Sequence, residues 1–530
     1  MQDTRPDTYD LIIAGGTLVD GSGGPPVSAD VGVQGDTIAA IGDLSDAHAS
    51  HRLSAEDQVV SPGFIDIHTH TDVTILAVPG MESSLYQGVT TQLGGNCGLC
   101  VGMTLDNEVF GIERRLVPSA TPFSWSTLDE YLRRVAGEGI SGNFGVLAGH
   151  GTLRKRVIGR EGRAPTTAEL ADMRAVLAEA MEEGAFGLST GLEYPPGRFS
   201  ETEELIEVSR ELTRFGGFYA SHLRDEADGL LDAVSEAIRI GREADVPVQL
   251  SHHKAEGRRN WGRVADSLAL VDSARAAGQD VSCDVYPYTS FMTGLAVRIL
   301  PGWAQEGSMA DMAARFEVEE TRSQILEEIR ANGPDWDLIL IAVCPGNRAY
   351  QGLTVAALAQ QKGMAPEELV LDLLSHQKGM IAAINFQMAE EDVETVLRRD
   401  YVSVGSDGAA ASPTGPMRHD KPHPRTYGTF PRVLGRYVRE RGVLSLEEAV
   451  RRMTLLPASR IGLKDRGLLR EGYKADLVVF DPATVDDSAT YEEPHQFPTG
   501  IGTVVVNGQM VIRDGAHTGA RPGTVLRRGS

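Results

Sequence analysis

Six side chains of metal-binding type stand at the ends of apolar segments in the central part of the chain. His68 and His70 end the segment GFIDIHTH and lie two residues apart. Because the side chains of a strand alternate between its faces, this spacing directs both imidazoles to the same side. The other candidates each follow a different apolar segment: Cys97, His222, His252 and Asp407. Zinc accepts nitrogen, sulfur and oxygen ligands and lowers the pKa of bound water to roughly 7, so the pattern predicts a hydrolytic metal centre.

Each of these residues also has a simpler interpretation. A single histidine can be a hydrogen-bonded core residue, and a single carboxylate can be a passive ligand. Cys97 and Cys100 form a C-x-x-C, which is found in redox pairs and as half of a zinc ribbon, but a ribbon needs a second pair that this sequence lacks. The repeated placement after different segments favours the metal centre, with Cys97 as a thiolate ligand.

The segments that carry these residues are typical of a parallel sheet. Short apolar runs alternate with longer stretches of helical periodicity, as in βα units. Eight runs are predicted to be strands: GFIDIH, GVTTQLGG, NFGVLAG, AFGLST, GFYASH, PVQLSH, VSCDVYPY and YVSVGSD. Active sites of (β/α)8 barrels form at the C-terminal ends of the strands, where the candidate ligands fall. The sequence therefore predicts an α/β protein with a (β/α)8 TIM barrel over residues 61–464.

Both ends of the chain have β character. Residues 1–60 contain short alternating strands separated by glycine and aspartate, and residues 465–530 resume the same pattern. In the segment TVVVNGQMVIRDG, Asn507 and Gly508 are the residue pair that a tight hairpin requires. We predict that the two ends fold together as one small β-sandwich domain.

One stretch interrupts the barrel pattern near strand seven. Residues from about 289 to 350 are rich in glycine, proline and tryptophan and do not continue the alternation of strands and helices. Long segments of this kind often cover binding sites. We predict an insertion over the barrel mouth, and its residues Phe291, Met292 and Leu295 favour an apolar pocket.

Composition excludes several classes of partner. A formal charge of −24 would repel a phosphate backbone, so no nucleic acid is expected. The sequence has neither an apolar stretch of about 20 residues nor a signal peptide, which predicts a cytoplasmic protein with no membrane partner.

Four cysteines are too few for a disulfide framework in 530 residues. An anionic substrate would need a local group of basic side chains in this acidic chain.

Several motifs together resemble one family nearly from end to end. The chain is similar to the N-acyl-D-amino-acid deacylase (D-aminoacylase) family of the amidohydrolase superfamily. The segments that carry the resemblance are GFIDIHTHTD, GGNCG, FYASHLRDE, QLSHHKAEG, DVYPYT, GSDG, HPRTYGTFPRVLG and RPGTVLRR. The family fold is a barrel flanked by a small β-domain from both termini, which agrees with the pattern described above.

The resemblance implies a zinc cofactor with one tight site and a weaker second site. The tight ligands correspond to Cys97, His222 and His252, and the weaker site corresponds to His68 and His70. Cysteine bridges the two positions in this family, where many relatives in the superfamily use a carboxylated lysine on strand four. Strand four here, AFGLSTG, has no lysine, and the nearest one upstream is Lys155 in the preceding connection.

The resemblance also implies a mechanism and a binding site for the substrate. Metal-activated water attacks the acyl carbonyl, while Asp407 acts as general base and then as general acid toward the leaving nitrogen. The carboxylate of an N-acyl amino acid would be bound by Lys254, Tyr286 and Arg298. His253 is expected to point away from the metal, because adjacent strand residues face opposite ways.

The predicted function is therefore the hydrolysis of N-acyl-D-amino acids to a carboxylate and a free D-amino acid. A cyclic-amide hydrolase of the hydantoinase or dihydroorotase kind is the alternative enzyme, and Cys97 and the absence of a strand-four lysine disfavour it. A metal-free, non-catalytic scaffold of the same fold is the alternative outside catalysis. The motif containing His423, Arg425 and Tyr427 receives no role from the sequence, and neither the preferred side chain nor the oligomeric state is predicted.

Overall fold

The barrel strands form where the apolar runs predict them. The computed structural model describes residues 8–103, 125–377 and 380–529. Within these ranges a bridge between Thr69 and Gly408 brings the end of the last barrel strand beside the first. The parallel strands follow one another in chain order: Phe64–Asp66, Val89–Gly94, Asn143–Val146 continued by Ala148–Gly149, Gly187–Gly191, Phe218–His222, Val248–Leu250, Val281–Val285 and Val402–Val404. All eight predicted runs are thus strands of one parallel barrel.

Helices cover the outside of this barrel, so its strands are buried on both faces and appear in the sequence as continuous apolar runs. The helix Thr167–Glu182 begins with a capping box, in which the Thr166 side chain accepts from the backbone N–H of Glu169 and the Glu169 side chain accepts from the backbone N–H of Thr166. The helices outside the insertion are Thr71–Thr74, Glu82–Leu85, Leu128–Glu138, His150–Val157, Thr167–Glu182, Thr202–Ser209, Leu230–Ala244, Val264–Ala276, Glu390–Leu397, Arg425–Arg432, a π-helical continuation Val433–Glu440, Leu446–Met453 and Leu455–Ile461. In the described part of the chain, no helix has the length and apolar content needed to cross a membrane.

The two termini do form a shared β-domain, and hydrogen bonds link its described strands into one continuous sheet. Thr8–Leu18 causes this, because its 11 residues pair with Val27–Gln34 on one side and with both His48–Ser54 and Val59–Pro62 on the other. The remaining strands of the sheet are Thr37–Gly42, Leu477–Phe480, Ile501–Val506, Gln509–Arg513 and Ala516–His517. The predicted hairpin at Asn507 and Gly508 is confirmed, with φ angles of 45° and 80°.

The insertion is longer than the sequence indicates. Its antiparallel sheet has the strands Phe291–Gly294 and Ile339–Val343 on either side of Ala382–Asn385, so the predicted end near residue 350 is wrong. The inserted helices that precede Ala382–Asn385 have the same amphipathic pattern as barrel helices. The sequence therefore contains no signal that marks the end of the insertion. The inserted helices are Leu295–Ile299, Met309–Glu317, Glu319–Asn332, Val355–Lys362 and Pro366–His376, and they enclose a separate apolar core.

The end of the chain crosses the N-terminal ends of the barrel strands. Phe144 donates its backbone N–H to Thr524 and accepts one from Leu526, at 2.9 and 2.7 Å. Arg528 then donates its backbone N–H to Gly184 at 3.0 Å and its Nε to the carbonyl of Phe215 at 2.8 Å. The last residues therefore cover the bottom of the barrel, opposite the candidate site.

Removing the residues after Arg521 is expected to destabilise the protein without changing the site. The deletion eliminates several buried backbone hydrogen bonds, each worth about 1 kcal/mol, together with the apolar contacts of Leu526. We expect the midpoint of thermal unfolding to fall by several degrees while zinc content stays unchanged. An unchanged midpoint would show that this segment does not stabilise the barrel.

Candidate metal centre

The six predicted ligands come together at the C-terminal mouth of the barrel in two groups that share Cys97. In each group the ligand atoms lie within 4.8 Å of one another; the groups are His68, His70, Cys97 and Asp407, and Cys97, His222 and His252. The Sγ atom of Cys97 lies 3.3 Å from Nε2 of His68 and 3.5 Å from Nε2 of His252. Cys97 is therefore placed between two potential metal positions, as a bridging ligand would be.

Three of these residues have unusual backbone conformations. Cys97, His252 and Asp407 have φ angles of 52°, 35° and 49°, in the left-handed region that residues other than glycine rarely adopt. Each lies two or three residues beyond the end of a barrel strand, so the sharp turn directs its side chain into the mouth. Conformations of this kind are costly and concentrate at functional sites, where the surrounding structure holds them.

The ring nitrogens that do not face Cys97 contact carboxylates. Nε2 of His222 lies 3.2 Å from Glu193, and Nδ1 of His252 lies 3.1 Å from Glu226. Nδ1 of His68 lies 3.1 Å from Asp284. A carboxylate at one ring nitrogen fixes the tautomer and leaves the other nitrogen to bind a metal. Sequence reasoning assigned no role to these three acids, although Asp284 is a charged residue inside a fully buried strand.

The electrostatic environment stabilises positive charge at this position. Burial alone would lower the pKa of His222, but the carboxylate of Glu226 and the thiolate of Cys97 outweigh burial and raise it to about 10. Burial would likewise raise the pKa of Cys97, yet the neighbouring His68, His222 and His252 hold it well below its usual value. A thiolate and imidazoles in such a field fit a divalent cation, and the mixed sulfur and nitrogen donors are those that zinc prefers.

Asp407 has a partner that sequence reasoning missed. Its Oδ1 lies 3.1 Å from Nε2 of His70, and its Oδ2 lies 2.9 Å from Nη2 of Arg425. Burial would raise the pKa of Asp407, but the guanidinium of Arg425 and the hydrogen bond from His70 hold it well below the usual range. The backbone N–H of Arg425 donates to Nδ1 of His423 at 3.0 Å, which explains part of the unassigned HPRTYG motif.

The predicted substrate-binding residues separate into two places. Nζ of Lys254 lies 5.8 Å from the ring centre of Tyr286, and Cζ of Arg425 lies 4.6 Å from the same ring. Arg298 instead contacts Glu256 and Gln387. Among the described residues, the buried hydroxyl of Tyr286 and Nη1 of Arg425 have no hydrogen-bond partner. Unpaired buried polar groups are costly, so these two atoms mark a place where a ligand would supply the missing acceptor.

Other residues that the sequence brought into consideration lie outside the centre. His253 contacts Oγ of Ser267 through Nε2 at 2.8 Å, so it points away from Cys97 as predicted. Arg224 forms a bidentate ion pair with Glu236, donating from Nε and from Nη2. Lys155 lies in the helix His150–Val157 and not on strand four.

Comparison with known proteins finds similarity along the whole chain. The model of the Amidohydrolase family matches residues 53–512. The D-aminoacylase of Alcaligenes xylosoxydans xylosoxydans is 41% identical over 529 residues, which cover 99% of each chain. The N-acyl-D-aspartate deacylase of the same organism is 40% identical, with 99% of this chain and 97% of the relative covered. The solved structure of N-acyl-D-glutamate deacylase from Bordetella bronchiseptica, complexed with zinc and a phosphonate inhibitor, is 35% identical with a TM-score of 0.84, covering 98% of this chain and 100% of the other.

Proposed function

Because this chain belongs to the D-aminoacylase family of the amidohydrolases, we propose that it hydrolyses the amide bond of N-acyl-D-amino acids with zinc as its cofactor. The observation that carries the proposal is the position of Cys97 between two groups of ligand atoms, with Asp407 in one of them. The products would be a carboxylate and a free D-amino acid.

The donor atoms of the mouth suit zinc in two positions. Cys97, His222 and His252 would hold the tight ion, and His68 and His70, with Asp407, would hold a weaker one beside the same sulfur. Zinc in such a site supplies an activated water and polarises the carbonyl that the water attacks. Glu193 and Glu226 would keep the two tight-site imidazoles in the correct orientation.

Asp407 is suited to move a proton. Arg425 keeps its carboxylate ionised, and Oδ1 faces the cluster beside His70. An ionised carboxylate in this position can accept a proton from the attacking water and deliver it to the leaving nitrogen. We therefore propose Asp407 as the general base and general acid, and Arg425 as the residue that holds it in place.

A second part of the mouth is suited to the substrate carboxylate. Lys254, Tyr286 and Arg425 are buried together, and the phenol hydroxyl and one guanidinium nitrogen are unsatisfied. Charged donors and a hydroxyl bind a carboxylate through short, directional hydrogen bonds. We propose these three side chains as the carboxylate site, with Arg425 in the position that the sequence assigned to Arg298.

Tyr286→Phe tests the carboxylate site with little risk to the fold. Because the hydroxyl has no partner among the described residues, its removal leaves no protein group unpaired. We expect KM for N-acetyl-D-methionine to rise about tenfold, the value of one hydrogen bond to a charged group, with an unchanged thermal unfolding midpoint. An unchanged KM would remove Tyr286 from the substrate site.

The activity itself is tested by the release of free amine from matched N-acetyl-D- and N-acetyl-L-amino acids, with the zinc content of the same preparation measured in parallel. Release from the D series supports the proposal. Cleavage of cyclic imides without release from either series would favour the hydantoinase-like alternative. A protein that contains no zinc and releases no amine would be the non-catalytic scaffold.

A further inference from the structure

Arg298 links the insertion to the strand-six side of the mouth. It lies on the inserted helix Leu295–Ile299, and its Nη1 is 3.4 Å from Oε2 of Glu256. Its Nη2 donates to Oε1 of Gln387 at 3.1 Å. The side chain of Arg298 is 23% exposed and that of Glu256 is 4% exposed. Arg298 therefore borders open space while both of its terminal nitrogens contact acceptors of the protein.

Backbone contacts hold both acceptors in place. Glu256 donates its backbone N–H to the carbonyl of Glu226 at 2.7 Å, and Gly257 donates to the carbonyl of Gln387 at 2.9 Å. Glu256 follows His252 and Lys254 in the same connection, so the pair with Arg298 is adjacent to the proposed metal and carboxylate sites. Apolar surface is close by, because Cζ of Arg298 lies 5.9 Å from the ring centre of Phe291.

We propose that Glu256 and Gln387 occupy the guanidinium of Arg298 and thereby make this enzyme selective for substrates with uncharged side chains. The inference rests on the proposed function and names the substrate class within it. Substrate class varies among the relatives, since two of them are named for N-acyl-D-aspartate and N-acyl-D-glutamate.

The charges of the mouth support this selectivity. Above about pH 8, where Glu256 is ionised, three cations of the mouth each have a carboxylate partner: Lys254 with Glu226, Arg425 with Asp407 and Arg298 with Glu256. A second carboxylate on the substrate would have to displace Glu256 from Arg298 or remain unpaired, and an unpaired buried charge is strongly unfavourable. An apolar side chain beside Phe291 meets no such cost.

The pH of the assay determines how much negative charge Glu256 presents to Arg298. Burial raises its pKa to about 8, and the charges that face it are Arg298 and Lys254, which oppose the rise, and Glu193 and Glu226, which add to it. Glu256 is therefore fully ionised only above this pH. Selectivity is best measured at about pH 9, where the carboxylate carries its full charge.

The test compares kcat/KM for N-acetyl-D-methionine with kcat/KM for N-acetyl-D-glutamate. Glu256→Gln keeps the shape of the side chain and removes its charge, so we expect the ratio to fall about tenfold or more through a gain on the glutamate substrate. Arg298→Met in the Glu256→Gln background should abolish that gain. Glu320→Gln, the same change at an exposed position of the insertion, should leave the ratio as in wild type.

The outcomes separate this inference from the proposed function. A wild-type protein that cleaves the methionine substrate but prefers the glutamate substrate, or whose ratio does not respond to Glu256→Gln, overturns the selectivity inference alone. A wild type that releases amine from no N-acetyl-D-amino acid refutes the proposed function. If Glu256→Gln does not fold, Gln387→Leu removes the other acceptor and should shift the ratio in the same direction, and an unchanged ratio there also overturns the inference.

Discussion

Replacing Cys97 by alanine is expected to abolish tight zinc binding and to reduce kcat/KM by at least about 1,000-fold, because the charge stabilisation that a metal supplies is worth several kcal/mol. Cys97 belongs to both groups of ligand atoms, so the substitution weakens both metal positions at once. The zinc content per chain, measured by atomic emission after exhaustive dialysis, and kcat/KM for N-acetyl-D-methionine are the two readouts.

Cys100→Ala is the matched control for this substitution. Cys100 is also buried, but it belongs to neither group of ligand atoms, and burial raises the pKa of its thiol so that it remains protonated. The control should keep its zinc and most of its activity. If Cys97→Ala retained a full equivalent of tightly bound zinc, the thiolate site would be wrong.

Asp407→Asn is expected to lower kcat by about 100- to 10,000-fold, the usual contribution of a positioned general base. The amide has nearly the same shape but cannot accept the proton from the attacking water. Tight zinc should remain, because Asp407 is not part of the group formed by Cys97, His222 and His252. Steady-state kinetics and zinc content on the same sample check both statements.

Asp400→Asn provides the control at the opposite end of the same barrel strand. Asp400 is exposed and precedes Val402–Val404, whereas Asp407 follows it. This variant should be indistinguishable from wild type. A nearly normal kcat in Asp407→Asn would assign the proton transfer to another group, and the loss of tight zinc would make Asp407 a ligand of the first ion and not a base.

The parts of the fold that the sequence predicted are those with a local signal. Each barrel strand is buried on both faces, so all residues of a run such as Phe218–His222 are buried, most of them are apolar, and the run ends in a candidate ligand. The end of the insertion has no such signal, because Pro366–His376 resembles a barrel helix in its periodicity. The strand pairing of the terminal β-domain has no such signal either, because the partners of Thr8–Leu18 are chosen by tertiary contacts.

The candidate site divides in the same way, into residues with a local sequence signal and residues whose role depends on tertiary contacts. Ligands such as His222 were identifiable because each lies at the end of a barrel strand or a few residues beyond it. Arg425 was not, because its contact with Asp407 depends on a turn that brings two separate motifs together. Glu226 was visible only as one acid among many, and its distance to His252 is a property of the folded mouth. Arg298 was assigned to the substrate carboxylate from the family resemblance, which says nothing of Glu256 as its partner.

The shared sheet of the two termini has a consequence for how the protein is made. Val59–Pro62 pairs with Thr8–Leu18 on one side and with Leu477–Phe480 on the other. A ribosome needs ~20–80 s to add the roughly 400 residues that separate these partners, at the usual rate of about 5–20 residues per second. For that time the nascent chain exposes an apolar, unpaired strand edge, which is a template for aggregation. Prematurely terminated products should therefore aggregate, and overproduction should benefit from slow synthesis or from added chaperones.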